Sequence, residues 1–401
     1  MNKLINNLKA SLPVQNLYFW HLITLCAVVF NHALGFDALY RAFLYLNIVL
    51  VVYIYIKKPD GLYLSAIKSY YPIILFVSAY FIIHSIAVNN LEFIKEINHL
   101  IYSIFLCLGI KLQAEHNADY VNNNIKKIII AMAFFYVAIQ LFSLLILKMN
   151  YGTVKNPHYL AQYLMLLIPV SIFLLGTAKL KLKLAIVLMI VCLIGLLLHT
   201  NSRPAWLSLI LTVVGMSFYH KHKLVPFGSI VFATIFLWIT NIGNFSGQLT
   251  KLFEQITTEE RVYIWHDVWK LIEQSNIKHW LFGHGLHSYE VAYKELGPIK
   301  MQTAITFNSP HNFFLELLYT TGLTGLICAV LFYSVLYIKL FQTRKNSDEY
   351  KNLTSLLITL LTMNLLFVSI IVPIFSSFHL LITALVFGIL LHINELIRVN
   401  R

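Results

Sequence analysis

Three residues have the types and settings that phosphate binding and proton transfer need: Arg203, Arg261 and His311. Arg203 lies in His199-Thr200-Asn201-Ser202-Arg203-Pro204-Ala205-Trp206. With Pro204 as the first residue of a helix, Arg203 sits at a helix start, where free backbone N–H groups add positive potential suited to phosphate. The plainer reading is an arginine whose stem snorkels along apolar surface. Arg261 follows Glu259 and Glu260 and precedes Trp265. A guanidinium grips phosphate through two parallel hydrogen bonds, which an ammonium does not. The plainer reading here is a solvated ion pair worth about 0–1 kcal/mol. His311 stands in Ser309-Pro310-His311-Asn312-Phe313. A neutral imidazole, with an unperturbed pKa near 6.5, can take a proton from a hydroxyl near neutral pH. A polar residue at a helix start is the alternative. Two arginines from different segments could clamp a diphosphate while a histidine serves as base. His284 and His287 come without a Cys or carboxylate set at metal spacing, so no metal ion is expected as a cofactor.

The elements that must position these groups are membrane helices. Of 401 residues, 59% are hydrophobic and 12% charged, outside the norms of a soluble globule. Apolar runs recur near 17–36, 39–56, 70–88, 97–113, 127–148, 159–177, 182–199, 204–219, 224–242, 313–338, 353–373 and 375–397. Each is close to the length that crosses about 30 Å of hydrocarbon. The expectation is an all-α polytopic membrane protein of about twelve transmembrane helices, one transmembrane domain over 1–401. A net charge of +13 would suggest nucleic acid in a soluble protein. Here 19 of the 30 basic residues fall in alternate segments on one side, which is the positive-inside pattern rather than a nucleic-acid footprint. Both termini are then cytoplasmic, and residues 243–312 form one large outer loop between the ninth and tenth spans. Lys3 and Lys9 precede the first run with no small-residue cleavage site after it, so that run reads as a retained helix. The four cysteines all lie inside apolar runs and read as small hydrophobes.

Within the loop, Val262, Trp265, Val268, Trp269 and Ile272 recur at helical spacing and predict an amphipathic helix over 259–275. Thr257 or Thr258 could cap it, and its tryptophans suit the depth of lipid headgroups. Gly283 and Gly285 mark a turn, and Gly297-Pro298 another.

Four motifs in this order resemble the O-antigen ligase and polymerase superfamily of bacterial envelope proteins. They are Asn156-Pro157-His158-Tyr159-Leu160-Ala161, Ser202-Arg203 with Ala205-Trp206-Leu207, Gly283-His284-Gly285-Leu286, and Pro310-His311-Asn312 with Leu315 followed by Gly322 and Gly325. The first third of the chain matches only as apolar spans. Within the superfamily the chain looks most like the O-antigen ligases. The resemblance implies a GT-C-like arrangement in the bacterial inner membrane with its active site facing the periplasm. It implies transfer of O-antigen polysaccharide from an undecaprenyl-diphosphate-linked glycan donor to the lipid A-core acceptor, inverting and without metal. His311, Arg261 and Arg203 are then catalytic, the two arginines also binding the diphosphate, with Asn312, Gly283, Gly285 and Trp206 in support. Many relatives carry an acidic residue near the glycine pair, where this chain has Tyr319-Thr320-Thr321 and Glu316 is the nearest acid. O-antigen polymerase and protein O-oligosaccharyltransferase share the scaffold. A transporter or flippase predicts charged residues deep in several spans, which these runs almost lack.

Overall fold

A computed structural model describes residues 14–57, 88, 92–116, 126–150, 152–154, 156–177, 180–200, 202, 204–210, 214, 235, 239, 241, 246–247, 250, 260–285, 288–296, 309–371 and 377–399. Among these residues there are helices and no strand. The helices are α1 (Val14–Ala33), α2 (Asp37–Lys57), α3 (Glu92–His116), α4 (Lys126–Leu145), α5 (Pro157–Thr177) and α6 (Leu180–His199). Three short ones follow, α7 (Glu260–Glu273), α8 (Ile277–Phe282) and α9 (Ser288–Leu296), and then α10 (Phe313–Asn346), α11 (Lys351–Ile371) and α12 (Ser377–Val399). Each coincides with an expected span or with the loop. Most of the spans expected at 70–88 and 224–242, and half of that at 204–219, lie outside the described residues. So do the caps expected at Thr257 and Thr258 and the turn at Gly297-Pro298.

Among the described residues, three helices are long and apolar enough to cross a membrane, Asp37–Lys57, Pro157–Gly176 and Phe313–Asn346. The surface of α6 shows why the bundle suits lipid. Leu184 and Leu188 stand 75% and 62% exposed, while Ile186, Met189 and Leu193 on the same helix are buried. A helix apolar all round, with bare leucines on its outer side, has hydrocarbon for a solvent. The central helix is α5. It packs against α1, α4, α6 and α11, and Leu160, Ala161 and Leu164 have no exposed surface. A second cluster joins α1, α2, α3 and α12 through Val28, Leu44, Leu106 and Leu381.

One span differs from expectation. The run 313–338 reads as a single crossing, but α10 breaks at Gly322, whose φ of 71° and ψ of −174° are not helical. The two halves fold back on one another, since the Phe313 ring lies 6.4 Å from that of Tyr333, twenty residues further along. The first half, 313–321, is about 13 Å of helix and too short to cross a bilayer. The crossing run therefore begins after Gly322. Phe313 also packs against His379, 5.3 Å between rings, and His379 is held by the Tyr333 hydroxyl at 2.6 Å and the Asn364 amide at 2.9 Å.

The loop helix α7 is present, but its buried face is rotated from the expected one. Ile264, Val268 and Ile272 pack with Tyr289 and Tyr293 of α9 and Tyr319 of α10, whereas Val262 and Trp269 are exposed. Tyr319 supplies an apolar partner that periodicity within the loop cannot reveal. The helix is docked on the folded-back half of α10, and only its outer side is left for water or headgroups.

Candidate functional site

The N-terminus of α5 is where separate elements meet. Asn156 caps it: its side chain accepts from the His158 N–H at 2.8 Å, and its carbonyl accepts from Tyr159 at 3.1 Å. An asparagine in this position satisfies helix N–H groups that have no partner of their own. It also fixes where the His158 side chain leaves the backbone. His158 Nδ1 lies 3.1 Å from the Ser202 hydroxyl. Ser202 is buried, and its carbonyl accepts from Ala205 and Trp206 at 3.1 and 3.2 Å, which starts a helix at Pro204. That is the helix start read from the sequence. Arg203 itself lies outside the described residues, between a fixed Ser202 and a buried Pro204. Trp206 is half-buried against the main core.

Arg261, in the first turn of α7, and His311, before α10, both act electrostatically on His158. The sequence places these residues about 100 and 150 positions beyond His158, in elements with no local relation. The fold therefore brings Arg261 and His311 within electrostatic reach of one imidazole, to which the Ser202 hydroxyl is hydrogen-bonded. His158 itself carried no role in the reading of the sequence, although its motif was visible there. Its only local signal is the Asn-Pro-His helix start.

His311 occupies a tight turn. Its φ is 50°, left-handed, and its N–H reaches the Ser309 hydroxyl at 3.3 Å. Histidine is among the few residues that adopt such a φ at modest cost. Asn312 then caps α10, its side-chain oxygen accepting from Phe314 and Leu315, each at 3.1 Å. Its role is positional: the cap ends the turn and sets the angle at which His311 projects. Asn312→Ala is expected to cost about 1 kcal/mol, and Asn312→Asp or Asn312→Ser to cost little, read as thermal midpoints in detergent.

The glycine motif serves the backbone. At the break in α10 the Tyr319 and Thr320 carbonyls lose their helical partners, and the N–H groups of His284 and Gly285 take them, each at 2.9 Å. In return the Thr324 hydroxyl donates to the Leu281 carbonyl at 2.6 Å. Gly283 and Gly322 lie at the crossing. A Cβ on Gly283 would stand 2.3 Å from the Thr320 carbonyl, and one on Gly322 would stand 2.3 Å from the Leu281 oxygen. Gly283 and Gly285 thus form a clasp holding the loop to α10, with the donors between them already engaged by carbonyls rather than open to phosphate. The clasp ties α7, which carries Arg261, to the helix that His311 precedes.

His284 fills the clasp from the side. Its ring stacks on His279 at 4.3 Å and on Tyr319 at 4.6 Å, and its Nε2 lies 2.7 Å from the Ser275 hydroxyl. That hydroxyl donates to the Leu271 carbonyl, so His284 is the donor to Ser275. Loss of hydration first, and the neighbouring His279 second, push the His284 imidazole down from 6.5 to about 4. An unfolded chain takes up this proton near 6.5, and the folded chain only near 4. The stabilising effect is complete above pH 6.5 and declines as pH falls toward 4. Thermal midpoints measured across that window are expected to drop with acid, and His284→Gln to reduce the slope.

Residues 188–330 match the family described as O-antigen ligase. The matched stretch contains Ser202, Arg261, the glycine clasp and His311, whereas His158 lies outside it. No curated protein matches the chain.

Proposed function

With residues 188–330 falling in the O-antigen ligase and polymerase superfamily, we propose that the chain is an O-antigen ligase. Members of this family are membrane enzymes of the glycosyltransferase kind. The observation that carries the proposal is the gathering of Arg261 and His311 at the N-terminus of α5, where Ser202 brings in the segment bearing Arg203. The donor is a polysaccharide linked to undecaprenyl diphosphate, and the acceptor is a sugar hydroxyl of the lipid A-core. The acceptor oxygen attacks the anomeric carbon as the bond to the diphosphate oxygen breaks, which inverts that carbon. His311 takes the acceptor's proton, and the released undecaprenyl diphosphate carries away the bonding electrons. Fixed cations at the developing charge lower the barrier most when they are already in place. That role falls to Arg261 and Arg203. The site faces the periplasm of the inner membrane, with residues 243–312 on that side and both termini cytoplasmic.

The test mixes purified protein with lipid-linked glycan and rough lipopolysaccharide in the presence of EDTA. A ladder of extended lipopolysaccharide is the expected result. A product in which the glycan grows on undecaprenyl diphosphate, with the core left bare, would assign the chain to the polymerases instead.

A further inference from the structure

We propose that His158 is a third ligand of the diphosphate, donating from Nε2 while the Ser202 hydroxyl holds Nδ1. This rests on the ligase reading of the same site and adds a residue that the family match does not reach. The ring is fixed at two points. The Asn156 cap fixes the backbone of His158, and the buried Ser202 lies 3.1 Å from Nδ1. A neutral imidazole has one donor nitrogen and one acceptor nitrogen. When the Ser202 hydroxyl donates to Nδ1, the proton is on Nε2, and Nε2 is the nitrogen left for a ligand. The reaction balance decides what that nitrogen does. Glycosyl transfer to a hydroxyl releases one proton, and His311 accepts it. A second base would have nothing to take. The leaving diphosphate, by contrast, gains negative charge on several oxygens and is served by every donor aimed at it. His158 stands within electrostatic reach of Arg261, so the imidazole and the guanidinium can serve one anion. Ser202 directly precedes Arg203 in the sequence, and a hydrogen bond donated by its hydroxyl to Nδ1 leaves the proton of a neutral His158 on Nε2.

The amide of glutamine can present an N–H near the position of Nε2, whereas that of asparagine stands nearer Nδ1, and neither accepts a proton. The experiment compares His158→Ala, His158→Gln and His158→Asn with the wild-type protein. Binding of undecaprenyl diphosphate, kcat and donor KM are measured, with thermal midpoints to confirm folding. Loss of a hydrogen bond to a charged group predicts undecaprenyl diphosphate binding about 10- to 100-fold weaker in His158→Ala and His158→Asn. Donor kcat/KM is expected to fall by a similar factor, with both recovering largely in His158→Gln. Ser202→Ala, which frees the tautomer, is expected to raise donor KM without changing the binding of lipopolysaccharide. A His158→Gln protein that binds undecaprenyl diphosphate at wild-type strength yet turns over no faster than His158→Ala would make His158 the proton acceptor and overturn the proposal. Wild-type binding and turnover in all three His158 variants would overturn it equally. A wild-type protein that does not bind undecaprenyl diphosphate would instead remove the ligase reading on which it stands.

Discussion

His311→Asn is expected to lose glycan transfer by about 10²–10⁴-fold, the usual contribution of a positioned general base, while the protein accumulates in the membrane normally. Asparagine is the informative replacement because of the backbone. His311 has a φ of 50°, a conformation that asparagine tolerates and that costs most other residues roughly 1–2 kcal/mol. His311→Ala combines loss of the base with strain at the start of α10, so its defect mixes chemistry with folding. His311→Asn keeps the turn, the Ser309 hydrogen bond to the backbone N–H and the Asn312 cap, and removes only the group that accepts a proton. Single-turnover rates on purified protein, with thermal midpoints alongside, separate the two effects. A His311→Asn protein turning over within tenfold of wild type would take the base role away from His311. A His311→Ala protein with the same rate as His311→Asn but a lower thermal midpoint would fit the assignment.

Much of this scaffold is legible in sequence because a bilayer leaves few options. Backbone groups in hydrocarbon must bond within their own helix, so each long apolar run becomes a helix of matching length. The runs at 39–56, 159–177 and 182–199 became α2, α5 and α6 with no end shifted by more than two residues. Pro204 as the first residue of a helix was readable for a similar reason, since proline lacks the N–H that a helix start leaves unused. What stayed hidden depends on partners distant in the chain. Gly322 sits in a run that reads as one continuous span, and its break is set by Leu281 and Gly283, about forty residues earlier. The docked face of α7 is chosen by Tyr319. His158 becomes noteworthy only when Ser202, Arg261 and His311 stand beside it. The motif-poor first third hides a buried polar chain in the same way. Gln113 donates to His21 Nδ1 at 2.7 Å, and His21 Nε2 lies 3.0 Å from the Asn47 side-chain oxygen. Gly109 permits that approach, because a Cβ there would stand 2.9 Å from the imidazole. Lys111, inside the expected span at 97–113, is fully buried within α3.

Gly322→Ala is expected to leave little or no folded protein, whereas Gly195→Ala is expected to be tolerated. Both glycines lie in apolar membrane helices, and the difference is geometric. At Gly195 a Cβ meets nothing within 4 Å, so alanine there removes only the backbone freedom of glycine and gains about 0.5–1 kcal/mol. At Gly322 the same atom would stand 2.3 Å from the Leu281 oxygen, 2.4 Å from its carbonyl carbon and 2.5 Å from the Gly283 nitrogen. Those are backbone atoms, which no rotamer change can move aside. The φ and ψ of 71° and −174° add strain of about 1–3 kcal/mol for any residue with a side chain. If the break straightens to escape the clash, the Tyr319 and Thr320 carbonyls leave His284 and Gly285, and Phe313 leaves Tyr333. The turn bearing His311 then moves away from α7 and Arg261. A milder lesion isolates this last link. Thr324→Val removes the hydroxyl that donates to Leu281 at 2.6 Å while keeping nearly the same volume. It is expected to leave a folded protein with a lowered thermal midpoint and slower transfer, because the clasp that spaces Arg261 from His311 is loosened. Membrane yield by fluorescence-detected gel filtration, thermal midpoint and transfer rate measure the series. Gly322→Ala protein that accumulates with the wild-type midpoint and rate would mean that the break in α10 is not what holds the two residues together.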